Sequence, residues 1–513
     1  MNKDRLAADN KRIARNTAYL YFRMFFGLIV SLYTCRVVLE VLGIVDYGIN
    51  SVVGGFVLMF GFLNNTLSSS MQRFYNYEGV KNEEHGFRQV YNAGLVIHII
   101  IAILFFIFLE TFGLWYVNNI MVIPKDRLLA GNIVYQSSVA SMILIIMQIP
   151  YSGAVMAKER MDYFASVGIF DIVSRLLFVF TLPYIPIDKL ISSATFSLLI
   201  SIMNFLFYFI YCKRKFVEIK IETIKSKLLY RNILSFSGWN LIGSLAFLMK
   251  SQGLNMMLNY FFGPIINAAR SIAYQINTAV GNFSNNIVVA FRPQLVNSYA
   301  EKNYARTRSL MFLETKACFL LIAVLITPFI LEIDLILSLW LGDNVPDYTA
   351  RFAILILIDS LINTLNTPCT QVVHAVGIMK FYQITSSCVN FMLLPISWFL
   401  LKIGFDATSV YYAMIVVSIT HQTACIMITN KIFYFGIMSY LKDVLFPCII
   451  SIILLMVFSC LIVMVMPDSF IRFVIIGLLD LLVASFIGYY IMLNNRERQT
   501  VKQVIISKLG RKK

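Results

Sequence analysis

Charge is what this chain has least of. Asp, Glu, Lys and Arg make up 14% of its 513 residues, where soluble chains carry about 25%. A water-soluble protein of this length would fold as about three domains, and 27 acids with 43 bases are too few to cover their surfaces. A soluble fold is excluded. Ligand chemistry is equally thin: the four histidines (His85, His98, His374 and His421) are dispersed, with no pair at ligand spacing. The eight cysteines (Cys35, Cys212, Cys318, Cys369, Cys388, Cys425, Cys448 and Cys460) stand singly on apolar stretches with no C-x-x-C. They read as packing residues, neither disulfides nor metal ligands. The chain also lacks G-x-x-x-x-G-K-[ST], G-x-S-x-G, H-E-x-x-H and a Gly-rich dinucleotide fingerprint, which removes ATP-driven transport and the hydrolytic chemistries those motifs serve. An enzyme is not expected.

What is present is apolar. Hydrophobic residues make up 59% and the mean hydropathy is +0.75. A membrane-spanning helix takes about 20 mostly apolar residues, and stretches of that kind fall at 14–36, 47–71, 90–112, 131–157, 164–184, 190–212, 233–260, 265–291, 311–333, 350–377, 381–403, 407–430, 444–466 and 470–493. The expected fold class is an all-α polytopic membrane protein of about 14 transmembrane helices. The first stretch carries Arg15, Arg23 and Arg36 and no small-residue cleavage site follows it, so it reads as a retained helix and not as a signal peptide.

The basic residues give orientation. The N-terminus, the even-numbered loops and the C-terminus hold 31 of the 43 Lys and Arg, the odd-numbered loops 6, and the spans the other 6. A positive-inside bias of this size puts both termini in the cytoplasm. It also accounts for the +16 net charge without nucleic acid. The richest loop, with Lys213, Arg214, Lys215, Lys220, Lys225, Lys227 and Arg231, divides the spans. The expected organisation is an N-terminal lobe over 1–212, a basic cytoplasmic linker over 213–231, a C-terminal lobe over 232–430, two additional spans over 431–493 and a basic tail over 494–513. A faint parallel repeat supports the division: Gly43, Asn64–Asn65 and Arg73 echo Gly263, Asn285–Asn286 and Arg292, with 21 residues from Gly43 to Asn64 and 22 from Gly263 to Asn285. The tail over 501–509 reads as a surface helix on anionic lipid.

Ionisable groups within spans are costly, which makes them functional candidates. Asp171 and Arg175 stand four apart with the acid first, the order of a structural ion pair on one helix face. Glu314 and Lys316 lie near the start of span nine, where both can snorkel to the headgroups. Arg36 lies near the outer end of span one, within reach of either the interface or a cavity. Arg23, Lys250 and Arg270 have no acid within four residues and are expected to face a water-filled cavity, with interhelical pairing to Asp359 or Asp480 as the other reading. Polar stripes accompany them. Arg270, Tyr274, Asn277, Gly281 and Asn285 lie on one face of span eight. Gln252, Asn255 and Asn259 lie on span seven, and Asp359, Asn363, Asn366, Thr370 and His374 on span ten, broken by Pro368. One such stripe can be hydrogen-bond glue; three suggest a polar lumen. Cations on it favour an anion, and Arg matches the paired oxygens of phosphate.

Several runs are similar to a known family. Within 12–78 these are Arg15-Asn16-Thr17, Ser31-Leu32-Tyr33-Thr34, Leu42-Gly43, Asp46-Tyr47-Gly48-Ile49, Val52-Val53-Gly54-Gly55 and Leu67-Ser68-Ser69-Ser70-Met71-Gln72-Arg73-Phe74. Further on come Lys250-Ser251-Gln252-Gly253, Phe262-Gly263-Pro264, Asn267-Ala268-Ala269-Arg270, Ala273-Tyr274-Gln275, Pro293-Gln294, Thr370-Gln371, Ala375-Val376-Gly377 and Tyr382-Gln383. The chain resembles Wzx-type polysaccharide exporters (flippases) of the multidrug/oligosaccharidyl-lipid/polysaccharide superfamily. The resemblance runs over nearly the whole chain, although beyond span twelve the sequence is generic.

That resemblance implies a MATE-like bundle of two pseudo-symmetric lobes in the bacterial inner membrane. By alternating access it would move an undecaprenyl-pyrophosphate-linked oligosaccharide outward for O-antigen or capsule synthesis. Arg23, Arg36, Lys250, Arg270, Gln252, Asn255 and Asn277 are the expected substrate contacts, and Asp359 and His374 the candidates for coupling to H+ or Na+. No cofactor or metal is expected. The expected partners are the lipid-linked substrate, membrane lipids and other polysaccharide-assembly proteins, and a monomer suffices because one chain supplies both lobes. The main alternative is a cation-coupled multidrug exporter of the same superfamily, kept open by Asp359. A glycan polymerase or ligase would need an acid–base pair in a large outer loop, and the loops near 113–130 and 334–350 are short.

Overall fold

The computed structural model describes the backbone of residues 3–58, 62–158, 160–222, 227–376, 378, 380–493 and 498. Side chains are described from 26 onward within these, except at 58, 62–66, 69–70, 73, 76–84, 228, 232, 235–249, 285–286, 289–290, 292–293, 296–297 and 300. By packing the chain divides into two units, Met1–Ser271 and Ile272–Lys513.

The first unit opens with α1 (Lys3–Leu58), which breaks at Gly43, where φ is 76° and ψ 168°. Only glycine enters that region without strain, so the first two apolar stretches part there. Then come α2 (Phe62–Phe108), which runs on through a π-turn into α3 (Leu114–Asn119), α4 (Leu128–Ala157), α5 (Met161–Thr181), α6 (Lys189–Lys215) and α7 (Lys227–Phe262). The opening of α8 (Pro264–Ala300) completes the unit, and the rest of that helix belongs to the second. Helix α2 differs from the sequence expectation of a loop between spans two and three. It stays helical through 76–84, a mostly polar stretch without proline whose one glycine, Gly79, costs a helix only about 1 kcal/mol. At 47 residues it is about 70 Å long, more than twice the hydrocarbon thickness of about 30 Å. Helix α4 forms the spine, burying Val134, Tyr135, Val139, Met142 and Ile146 against Ile49, Val52 and Val53 of α1 and the inner faces of α2 and α6.

The second unit holds α9 (Tyr304–Leu331), α10 (Ile333–Leu341), α11 (Thr349–Thr364), α12 (Thr367–Val376), α13 (Lys380–Phe391), α14 (Leu393–Ile403), α15 (Ser409–Ile432), α16 (Ile437–Tyr440), α17 (Phe446–Val465) and α18 (Phe470–Ile487). Helix α9 is its spine, packed on α11, α12, α17 and α18. The snorkelling expected of Glu314 and Lys316 is not what occurs. They are 0% and 2% exposed, because α9 is the central helix and has no lipid-facing side there. Gln371 Nε2 donates to Glu314 Oε1 at 3.2 Å, and Lys316 Nζ donates to the Met492 carbonyl at 2.7 Å, at the negative end of a helical segment where a cation is favoured. At the far end of α9, buried Glu332 takes Nε and Nη2 of Arg472 at 2.5 and 2.7 Å, and Arg472 also pairs with the exposed Asp468 at 2.7 Å.

Among the described residues there is no strand, and 11 helices are long and apolar enough to cross a membrane. Helices α7 and α8 carry the seventh and eighth apolar stretches in addition. Large apolar side chains face outward along α17 and α18, among them Phe446, Ile453, Leu461, Leu478, Leu482 and Phe486, as lipid contact requires. The chain is an all-helical, multi-pass membrane protein.

Candidate functional site

Helices α7 and α8 form a hairpin whose turn is written in two residues. The Gly263 amide closes α7 on the Asn259 carbonyl at 2.8 Å, and φ of +77° at Gly263 reverses the chain. Pro264 then starts α8, its fixed φ and missing N–H being harmless there. The backbone at Gly263 repeats the positive φ of Gly43, so the two glycines matched in the sequence repeat each break the helix by the same φ.

An asparagine knot holds the hairpin together. Asn267 Nδ2 donates to both the carbonyl and Oδ1 of Asn255, each at 2.8 Å, and Asn259 Nδ2 donates to Asn267 Oδ1 at 3.1 Å. The same Asn259 amide acts as a surrogate peptide for Val122: it accepts from the Val122 N–H at 2.9 Å and donates to the Val122 carbonyl at 3.3 Å. One turn beyond Asn267, Arg270 is 5% exposed and its guanidinium donates to the Ser251 carbonyl at 2.5 Å. Ser251 lies between Lys250 and Gln252 in sequence, so the Arg270 guanidinium bonds the backbone of the α7 stretch that carries Lys250, Gln252 and Asn255. Lys250 and Gln252 are half-buried.

The run Asp46-Tyr47-Gly48 locks α1 onto this frame. Arg127 grips Asp46 through Nε at 2.7 Å and through Nη2, and reaches Asp188 at 2.6 Å with Nη1. That hydrogen bond holds the Asp188 carboxyl below the usual carboxylate range, against a desolvation that pushes it up, and the Ile191 and Leu190 amides assist. Tyr47 shares hydrogen bonds with Cys35 at 3.2 Å and with Ser271, the neighbour of Arg270. Gly48 abuts Pro264.

In the second unit the acid of interest is Asp359. Ser418 Oγ donates to its Oδ1, and Asn363 Nδ2 to its Oδ2 at 2.8 Å. Gln422 Nε2 donates to Asn363 Oδ1 at 2.9 Å, while Gln422 Oε1 is buried without a hydrogen-bond partner. The span-ten stripe is split because the helix stops at Thr364 and restarts at Thr367. Asp359 and Asn363 turn to α15. Asn366 and Thr370 instead bind the Tyr382 hydroxyl of α13, at 3.0 and 2.6 Å. His374 is exposed, near the end of the short helix beyond the break.

The remaining expected site residues are placed as follows. Arg36 is exposed on α1. Arg23 falls on α1 but its side chain lies outside the described residues, as do those of Asn285 and the repeat residues Arg73 and Arg292. Asn277 belongs to the second unit, half-buried, with Oδ1 lacking a hydrogen-bond partner. Asp171 and Arg175 are paired at 3.0 Å, and Asn204 donates to the same carboxylate at 2.8 Å. Sequence reasoning gave no role to Asp46, Arg127, Asp188, Ser418 or Gln422. The Ser418 and Gln422 spacing of four on an apolar span was a usable signal; the Arg127 cluster offered none.

No protein-family model and no curated protein matches the chain. Among solved structures it is similar to the lipid II flippase MurJ in an inward closed conformation, with TM-score 0.68 and 15% identity over 91% of this chain and 97% of that one. It is also similar to an inward-facing multidrug resistance MATE family transporter of the MOP superfamily, with TM-score 0.64 and 13% identity over 80% and 97%. The MATE multidrug transporter DinF-BH aligns with TM-score 0.59 and 12% identity over 83% and 97%. The chain shares the fold of these solved structures.

Proposed function

We propose that the chain is a flippase that carries an undecaprenyl-pyrophosphate-linked oligosaccharide across the bacterial inner membrane, by alternating access, for surface polysaccharide synthesis. The observation that carries this reading is that Arg270 bonds the Ser251 carbonyl, in the stretch of α7 that also carries the cation Lys250 and the amides Gln252 and Asn255. Two cations set among amides match a pyrophosphate joined to a sugar. Arg23, Arg36 and Asn277 are assigned to the same substrate. Both termini face the cytoplasm on the charge distribution, and Asp359 couples transport to H+ or Na+.

A second reading, a cation-coupled multidrug exporter, is favoured by one observation: Asp359 is an enclosed acid that accepts from Ser418 and Asn363, with Gln422 donating in turn to Asn363. Leaflet-selective labelling of the lipid-linked oligosaccharide in cells lacking the chain, with drug susceptibility of the same cells, separates the two. Build-up on the cytoplasmic leaflet supports the flippase. Normal distribution with new drug sensitivity means the exporter.

A further inference from the structure

The segment that leaves α6 does not hang free. Phe216 and Ile219 turn inward and join the core of the first unit. Asn92 of α2 pins the backbone as a surrogate peptide, donating to the Lys220 carbonyl at 2.8 Å and accepting from the Glu222 N–H at 2.9 Å. Both acids of the strap are taken up by that unit: Glu218 by Lys158 at 2.7 Å, and Glu222 by Arg88 at 3.8 Å. What remains outward, beside the half-exposed Glu222, is basic or apolar. Lys213, Arg214, Lys215 and Lys220 are exposed, and between them Val217 and Ile221 are 63% and 86% exposed.

We infer that the last turn of α6 and the strap 216–222 form a docking surface for the anionic headgroups of membrane phospholipid. Helix α6 is a candidate span that ends at Lys215, so the strap begins where that span leaves the hydrocarbon, at headgroup level. Exposed apolar side chains set among cations are the pattern of an interfacial segment that lowers its apolar groups into the headgroup boundary while its cations meet lipid phosphate. A soluble anion would use the cations and leave Val217 and Ile221 in water, which is why the assignment is to a lipid surface. The backbone is held on the opposite side by Asn92, so this face is displayed before any lipid arrives. The inference is independent of the cargo carried.

The test is hydrogen exchange of 213–222 in the full-length protein, in nanodiscs of phosphatidylcholine alone and of phosphatidylcholine with phosphatidylglycerol. The expected result is exchange slowed roughly tenfold or more by phosphatidylglycerol, and reversed by salt. The protection should be lost when Lys213, Arg214, Lys215 and Lys220 are all changed to Gln, with exchange in α4 unchanged as the control for folding. Val217→Ser with Ile221→Ser should weaken it several-fold. Equal exchange in the two nanodiscs overturns the inference, as does protection that survives the four-Gln change. Equal protection by inorganic phosphate, or protection by a polyprenyl pyrophosphate alone, would also overturn the lipid-surface assignment.

Discussion

A Cβ placed on Gly48 would lie 1.9 Å from the carbonyl oxygen of Pro264. The second half of α1 and the turn of the α7–α8 hairpin therefore meet backbone to backbone, and only a residue without a side chain fits. Because the opposing atom is main chain, it cannot swing aside as a side chain would. Gly48→Ala should destabilise the protein by about 3 kcal/mol, the upper range for overpacking, seen as a lower thermal midpoint in detergent. An unchanged midpoint would mean that the close approach does not persist in the folded protein.

Asn259 serves Val122 as a peptide would. Asn259→Leu removes both hydrogen bonds to Val122 and the one to Asn267, a loss of about 1 kcal/mol for each. Asn259→Asp keeps the acceptor for the Val122 amide but loses the donor, so its thermal midpoint should also fall below that of the wild type.

The Glu332–Arg472 pair separates stability from charge. Arg472→Met should lower stability by about 3–5 kcal/mol, since it leaves the Glu332 carboxylate enclosed without its partner, and Glu332→Gln should cost less because Arg472 keeps Asp468. Changing both to apolar residues of similar volume should recover most of the loss. A double-mutant cycle on denaturation midpoints reads this directly, and simple additivity would show that the two do not act as a pair.

Acid weakens the Arg127 clamp in a stated window. Arg127 holds the Asp188 carboxyl below its usual range, so the contribution is fully present above the unfolded Asp value of about 3.9 and is lost as pH falls through the lower folded value. Asp188→Asn should therefore lie below the wild type in stability at pH about 6, with the gap closing toward pH about 3. Because Asn keeps the cap that Asp188 gives α6, a gap that does not change with pH would mean that the charge pairing with Arg127 is not its source.

How far the sequence could be read depended on the separation of the interacting groups. Spans follow from local hydropathy, and the Asp171–Arg175 pair follows from a spacing of four, because both signals sit within one helix. The Gly43 and Gly263 match was legible because each residue answers to its own backbone need for positive φ. The clamps were not legible. Arg127 reaches 81 residues back to Asp46, Arg472 reaches 140 residues back to Glu332, and Asn259 reaches 137 residues back to Val122, with no periodic pattern to announce any of them. The stripe from Asp359 to His374 misled, because a helical face extends only as far as the helix and this one stops at Thr364. Glu314 and Lys316 misled because snorkelling presumes a helix that faces lipid, whereas α9 is enclosed.

The most direct measurement of the account is the leaflet distribution of lipid-linked oligosaccharide in cells whose only copy of the chain carries Arg270→Ala, at matched levels of inserted protein. The cationic site predicts build-up on the cytoplasmic leaflet, with Arg270→Lys restoring partial export because charge survives while the bidentate geometry does not. Wild-type export by Arg270→Ala, and by Arg23→Ala beside it, would contradict the assignment of pyrophosphate to these residues.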